Sequence, residues 1–374
     1  MSEALGAINA LGMPKWGLAM TEGRIGVWLV DEGATVAFGD ELVEIETSKI
    51  TNVLDSPWDG VLRRRVAQVG DTLPVGALLG VIAPPDASEA EIDAMVAQAR
   101  ASQGQAASAP PLPEPSLVVA ADWTVRILRM GPETGLPLLL LHGFGGDLLS
   151  WQFNQPALAQ SRPVYAIDLP GHGGSSKQVG AGDLAALAAK VLSAMDALGV
   201  ARAHLAGHSL GGAVASQVAA EWPERAASVT LVCAAGLGPE INMAYVDGFV
   251  AAERRKDLKP VLELLFADPS LVGRDMVEDV LRYKRLDGVA EALRGISAAV
   301  FAQGRQAGSF AGRLGGAVPV QAIWGAEDRI VPASHSEAVP AERRHVIADA
   351  GHMVHIERPE SVNALIDTFM AGTE

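Results

Sequence analysis

The stretch Gly207-His208-Ser209-Leu210-Gly211 constrains this chain more than any other. It reads G-x-S-x-G. Before it stands Ala203-His204-Leu205-Ala206, short and mostly apolar as a buried strand should be, and after it Gly212–Glu221 forms helix until Pro223 stops it. A strand that turns this sharply into a helix holds its serine in strained backbone. Glycine is needed at both ends because side chains there would collide with the facing strand and helix. The turn lifts the hydroxyl clear of a sheet, beside the positive end of the new helix. The pattern alone is a weak signal, so its weight depends on partners elsewhere in the chain.

An activated serine needs a base within hydrogen-bond reach and an acid that holds the base's tautomer. Two loops after late strands offer them. Trp324–Pro332 carries Glu327 and Asp328, and Ala350–Glu357 carries His352 and His355. From Leu117 onward buried strands alternate with helices, the mark of a parallel α/β sheet, opened by an antiparallel pair at Val118–Ala120 and Thr124–Arg129. Residues 236–315 interrupt that rhythm with helical, charge-studded sequence and read as a cap over the active-site face. Residues 118–374 closely resemble the α/β-hydrolase superfamily, with the chain order Ser209, Asp328, His352. The resemblance selects Asp328 over Glu327 through G-x-x-D. It selects His352 over His355 through G-H-x4-E-x-P, completed by Glu357 and Pro359. An oxyanion site is expected from the backbone N–H groups of Leu210 and of Phe144 in His142-Gly143-Phe144-Gly145-Gly146. Such donors are worth about 3–4 kcal/mol each where negative charge develops. His208 reads as the elbow's variable residue, His204 as a strand residue with a satisfied ring and His172 as structural, and Asp147 and Trp151 as shaping the entrance or the following helix.

Residues 1–83 follow another rule. Sliding the sequence by 37 positions lays Gly23-Arg24-Ile25 on Gly60-Val61-Leu62, and Gly33, Thr35, Gly39, Leu42 and Ile45 on Gly70, Thr72, Gly76, Leu79 and Ile82. Short strands and Gly-Asp turns in each copy imply two similar sheets packed as a flattened sandwich. The turn joining the copies is Glu46-Thr47-Ser48-Lys49-Ile50. This region, with Met13-Pro14-Lys15-Trp16-Gly17 and Gly33-Ala34-Thr35-Val36, resembles the lipoyl domains of 2-oxo-acid dehydrogenase and related complexes. That resemblance implies lipoate in amide linkage to Lys49. Ser48 and Ile50 stand where biotin carriers usually place methionines, which argues for lipoate over biotin. Residues 84–117 then provide a capping box at Ser88-Glu89-Ala90-Glu91, a helix to about Ser102, and an Ala/Pro tether from Gly104 to Pro111.

Composition narrows the function. A net charge of −15 disfavours nucleic acid and anionic membrane surfaces. The one cysteine, Cys233, allows no internal disulfide and fits a cytoplasmic protein, and it reads as buried core. No signal peptide is evident, and no histidine–carboxylate spacing suggests a metal site. The expectation is therefore multidomain: an all-β lipoyl/biotinyl-type sandwich at 1–83, a helix and linker at 84–117, and an α/β-hydrolase fold with a helical cap at 118–374. This pairing is similar to the dihydrolipoamide acetyltransferase components of acetoin dehydrogenase complexes. The similarity implies transfer of an acetyl group from lipoyl-Lys49 to coenzyme A. It also implies two partners, a thiamine-diphosphate-dependent acetoin-cleaving component and dihydrolipoamide dehydrogenase. Most acyltransferases of such complexes carry an H-x-x-x-D-G signature and a subunit-binding domain, and neither is seen here. Arg254, Arg255 and Lys256 are candidates to attract coenzyme A phosphates, beside the plainer reading of a solvated helix face. A serine esterase or thioesterase fused to a carrier, and a carrier with an idle triad, remain as alternatives.

Overall fold

The computed structural model describes residues 8–14, 22–47, 51–107, 113–301, 304–306, 310–313, 316 and 318–373. The chain divides into two compact units, Met1–Leu112 and Pro113–Glu374. Among the described residues no helix is long and apolar enough to cross a membrane.

The first unit holds β1 (Asn9–Gly12), β2 (Glu22–Trp28), β3 (Thr35–Val36), β4 (Glu41–Glu46), β5 (Thr51–Asp55), β6 (Gly60–Arg65), β7 (Thr72–Pro74) and β8 (Leu78–Ala83). They form two four-stranded sheets, ordered β1-β8-β6-β3 and β5-β4-β2-β7. The 37-residue offset carries β2 onto β6, β3 onto β7 and β4 onto β8, so it relates the two sheets at three of their four strand positions. Leu11, Leu62, Leu79 and Ile82 from one sheet meet Ile25, Leu42, Val43 and Ile45 from the other in a buried core. Each copy also carries a Gly-Asp turn, at places that the 37-residue offset does not superimpose. Gly39 and Gly70 take φ of 90° and 92°, in the left-handed region open to glycine. Beside them, Asp40 and Asp71 accept from the N–H groups of Ala37 and Gln68 at 2.9 and 2.8 Å. β4 and β5 pair as far as Glu46 and Thr51. Lys49 lies outside the described residues.

Ser88 and Glu91 form the expected capping box at the start of α1 (Glu89–Ala107). This helix runs further than the sequence reading, through Gly104 to Ala107. Alanine and glutamine favour helix strongly enough to carry it past one glycine, and no proline intervenes before Pro110. α1 is fastened to the first sheet: Ile92 and Val96 pack on Leu78, Val81 and Ala83. Arg63 and Arg64 pair with Glu89, and Arg64 also with Asp93. Exposed ion pairs are worth at most about 1 kcal/mol each, so the apolar contact holds the helix. Ile92→Asp should therefore release α1. Hydrogen exchange should accelerate across 89–107 while β1–β8 stay protected; unchanged protection in the helix would contradict this packing.

The second unit is one eight-stranded sheet. Its strands are β9 (Ser116–Ala120), β10 (Trp123–Met130), β11 (Leu138–Leu141), β12 (Val164–Ile167), β13 (Ala203–His208), β14 (Ala226–Val232), β15 (Val320–Gly325) and β16 (Arg344–Ile347). β9 and β10 are antiparallel, and β11 to β16 run parallel. Every residue of β11, β13, β14 and β15 is buried, as strands covered on both faces must be. The helices are α2 (Gln155–Leu158), α3 (Leu184–Ala197) and α4 (Leu210–Glu221), then α5 (Met243–Ala251), α6 (Arg255–Glu263), α7 (Arg274–Lys284) and α8 (Val289–Val300) between β14 and β15. α9 (Val354–Glu357) and α10 (Pro359–Ala371) follow β16. β11 sits between β12 and β13, so the chain reverses direction across the sheet there. Such a reversal opens a crevice at the carboxyl ends of the strands.

Among the buried histidines of this unit, His142, His172, His208 and His355 are shifted strongly by burial. Burial keeps all four neutral. It pushes His142 down to about 4, His172 and His355 down to about 3, and His208 well below the usual range. In the unfolded chain each takes up a proton near pH 6.5, which the folded protein refuses until far lower pH. Stability is thus full above 6.5 and declines as pH falls toward 4, by about 1.4 kcal/mol per pH unit for each such group. Both ring nitrogens of His355 lack a partner among the described residues, and the ring stacks on Trp151 at 4.6 Å. His355→Phe should flatten the pH dependence of urea unfolding between 6.5 and 4 by one proton's worth. Equal slopes in wild type and variant would refute it.

Candidate active site

The turn after β13 places Ser209 at φ 51° and ψ −115°, strained backbone for a residue with a side chain. The fold holds it there by clearance. A Cβ at Gly207 would lie 2.3 Å from the Gly211 carbonyl oxygen, and one at Gly211 2.3 Å from that of Leu141 on β11. Ser209 N–H donates to Val232 on β14 at 3.0 Å, and the Ser209 carbonyl accepts from Gly212 at 3.0 Å to begin α4.

The loops after β15 and β16 bring Asp328 and His352 together. His352 Nδ1 donates to Asp328 Oδ2 at 2.8 Å, with both side chains essentially inaccessible. Asp328 Oδ1 accepts from the N–H groups of Ile330 and Val331 at 2.8 and 3.0 Å, so the carboxylate is held on both oxygens. With its proton on Nδ1, the imidazole presents a lone pair at Nε2, the form a general base requires. Nε2 has no hydrogen-bond partner among the described residues, so a Ser209–His352 bond is not made in this structure. Glu357 explains its part in the motif. Its carboxylate accepts from Gly351, just before His352, at 2.7 Å and from Ala267 at 2.8 Å.

Cys233 follows β14 beside this pair, buried and at φ 45°. Its sulfur, an Asp328 oxygen and a His352 nitrogen lie within 4.8 Å of one another. Burial and the Asp328 charge hold the thiol well above the usual range.

The two expected oxyanion donors fall on neighbouring strand ends, since Leu141 pairs with Gly207. Leu210 opens α4, and Phe144 follows β11. His142 does work that its place in the motif did not reveal. Its Nδ1 donates to the Gly143 carbonyl at 2.8 Å, which also accepts from Gly146 at 3.1 Å, while Nε2 accepts from Leu169 N–H at 2.9 Å. The Leu169 donor dictates a neutral ring with its proton on Nδ1. In a trans peptide the N–H points opposite the C=O, so fixing the Gly143 oxygen fixes the direction of Phe144 N–H.

His208, read from sequence as the elbow's variable residue, donates from Nε2 to the His352 carbonyl at 2.9 Å, with ring centroids 4.7 Å apart. The signal was only that a histidine fills the x of G-x-S. His204 and His172 are structural, bonded to Ser228 Oγ and the Pro170 carbonyl at 2.8 and 3.0 Å. Asp147 caps the turn Leu148–Trp151, and Trp151 is fully buried rather than at an entrance. Arg254, Arg255 and Lys256 are exposed at the start of α6, where Arg254 pairs with Asp257 at 2.8 Å.

Comparison with known proteins agrees with both halves. Residues 137–359 match the family model described as alpha/beta hydrolase fold, and residues 9–82 match the model described as biotin-requiring enzyme. The chain is 48% identical over 97% of its length to the dihydrolipoyllysine-residue acetyltransferase component of the acetoin cleaving system of Pseudomonas putida, covering 98% of that protein. It is 46% identical to the component of the same name from Cupriavidus necator, over 96% of each chain. A solved meta-cleavage product hydrolase from Pseudomonas fluorescens superimposes with a TM-score of 0.63 at 23% identity, over 69% of this chain and 98% of that one, a likeness of fold. With a biotin/lipoyl unit, an α/β-hydrolase unit and near-complete alignment to both relatives, the chain belongs to the family of dihydrolipoyllysine-residue acetyltransferase components of acetoin cleaving systems.

Proposed function

We propose that this protein transfers an acetyl group from a lipoyl arm on Lys49 to coenzyme A by way of an acyl-serine at Ser209. One observation carries the mechanism: the His352–Asp328 bond leaves Nε2 as a lone pair at the sheet end where the Ser209 turn emerges. Lipoate in amide linkage to Lys49 would supply a dithiol that accepts an acetyl group as a thioester and gives it up again. In the sequence Lys49 falls in the connection between Glu46 and Thr51, where the β4–β5 pairing ends.

His352 Nε2 takes the Ser209 proton as the oxygen attacks the acetyl carbon. Phe144 and Leu210 N–H groups receive the oxyanion, and the departing sulfur collects the proton from His352. The coenzyme A thiol then gives its proton to His352 and attacks the acyl-serine, and Ser209 Oγ leaves with the proton returned. Transfer requires that water be excluded, since an acyl-serine ester hydrolyses readily. The near-complete burial of Ser209 and His352, 5% and 1% exposed, favours transfer over hydrolysis. The helices α5 to α8, between β14 and β15, act as the cap. The acetyl donor is a thiamine-diphosphate-dependent acetoin-cleaving component, dihydrolipoamide dehydrogenase reoxidises the arm, and the whole operates in the cytoplasm as a multi-subunit complex.

Incubation with acetyl-dihydrolipoamide, with and without coenzyme A, tests the reading. Acetyl-CoA formed only with coenzyme A is the expected product. Free acetate would make the protein a hydrolase, and neither product would leave it a carrier. Ser209→Ala should lower the rate by about 10⁴-fold or more. Lys49→Arg should keep activity on free acetyl-dihydrolipoamide while abolishing turnover in the assembled complex.

A further inference from the structure

The first helix of the insert touches both loops that the sheet holds apart. Asn242 caps α5, its side-chain oxygen accepting from Ala244 N–H at 3.0 Å. The same residue is anchored to the acid's loop: its N–H donates to the Ile330 carbonyl and its Nδ2 to the Arg329 carbonyl, both at 2.9 Å. Within the first turn of α5, the Tyr245 hydroxyl donates to the Phe144 carbonyl at 3.0 Å. Tyr245 is buried, and burial pushes its phenol upward, so it remains a donor at any working pH. One turn further, Phe249 meets the Phe144 ring edge-to-face at 6.0 Å. A Cβ on Gly145, at φ 76°, would lie 2.4 Å from the Phe249 ring, so the oxyanion loop and α5 are fitted at backbone contact.

We propose that Tyr245 is a positioning residue for the transfer reaction, pinning the Phe144–Gly145 peptide from α5 while His142 and Gly146 pin the Gly143–Phe144 peptide from the core. Phe144 Cα is thereby held from both sides, and its N–H is aimed at the oxyanion only while α5 is seated. Because Asn242 seats the same helix on the loop bearing Asp328, α5 joins the acid's loop to the oxyanion's. The inference rests on the reading of Ser209 as nucleophile and Phe144 N–H as oxyanion donor.

The test uses full-length lipoylated protein carrying Tyr245→Phe, which removes the hydroxyl and keeps the ring. Loss of an oxyanion donor costs 10²–10³ in rate, so a donor left in place but loosely aimed should cost about 10-fold. That loss should appear in kcat for acetyl-dihydrolipoamide, with KM within about twofold of wild type. Affinity for a boronic acid that forms a tetrahedral adduct with the serine should weaken by the same factor. The alkaline and acid limbs of the pH–rate profile should not move, because His352 is untouched. Asn242→Ala, which loosens the helix without altering Tyr245, should reproduce the same split and covers the case in which Tyr245→Phe fails to fold. Unchanged kcat and boronate affinity, or a rise in KM alone, overturns the proposal. If Ser209→Ala is inactive while Tyr245→Phe behaves as wild type, only this inference falls; if Ser209→Ala retains transfer, the underlying reading falls with it.

Discussion

Backbone clearance at the Ser209 turn sets the terms for everything around it. Strand β13 can deliver a serine in the left-handed region only if helix α4 begins at once and passes within van der Waals contact of β11 and β14. That contact is what glycine at 207 and 211 permits. The same closeness puts the loop after β11 beside the new helix, where Phe144 and Leu210 follow adjacent strand ends. The strain is sustained because the surrounding sheet is buried on both faces and cannot relax toward water.

Around this turn the protein uses polarity without charge. His142, His208 and His355 are all neutral by burial, and two of them spend their N–H groups on backbone carbonyls rather than on carboxylates. Neutral donors that hold peptides in place add no net charge near the oxyanion or the His352–Asp328 pair. The Asp328 carboxylate is held by two N–H groups and one imidazole. For the proposed acyl transfer such an arrangement would be preorganised, its donors aimed before charge appears.

The carrier unit solves a separate problem. A domain that small has little core, and duplication doubles its use of one strand arrangement, while Asp40 and Asp71 each brace a turn. α1 adds a second, outer layer of apolar contact to one sheet, so the segment after the β strands serves the unit rather than the tether alone.

Local spacing settled much of this from sequence. The 37-residue repeat predicts the paired sheets because both copies must bury the same faces, and strand–turn–helix chemistry singles out Ser209 because few residues other than glycine fit at 207 and 211. Asp328 and His352 were legible through motif resemblance, since the sequence alone left Glu327 and His355 open. Where α1 stops was misjudged, because helix propagation through Gly104 depends on a summed propensity that no single residue announces. His142, His208 and Tyr245 escaped for a deeper reason. Their roles lie in hydrogen bonds to carbonyls of Gly143, His352 and Phe144, and every residue has a carbonyl, so no pattern in the chain marks the acceptor. The chain determined which residues turn, pair and bury, because those follow from side-chain size, polarity and period. Only the tertiary structure decided which peptide each buried donor would hold, because that depends on distances between segments far apart in sequence.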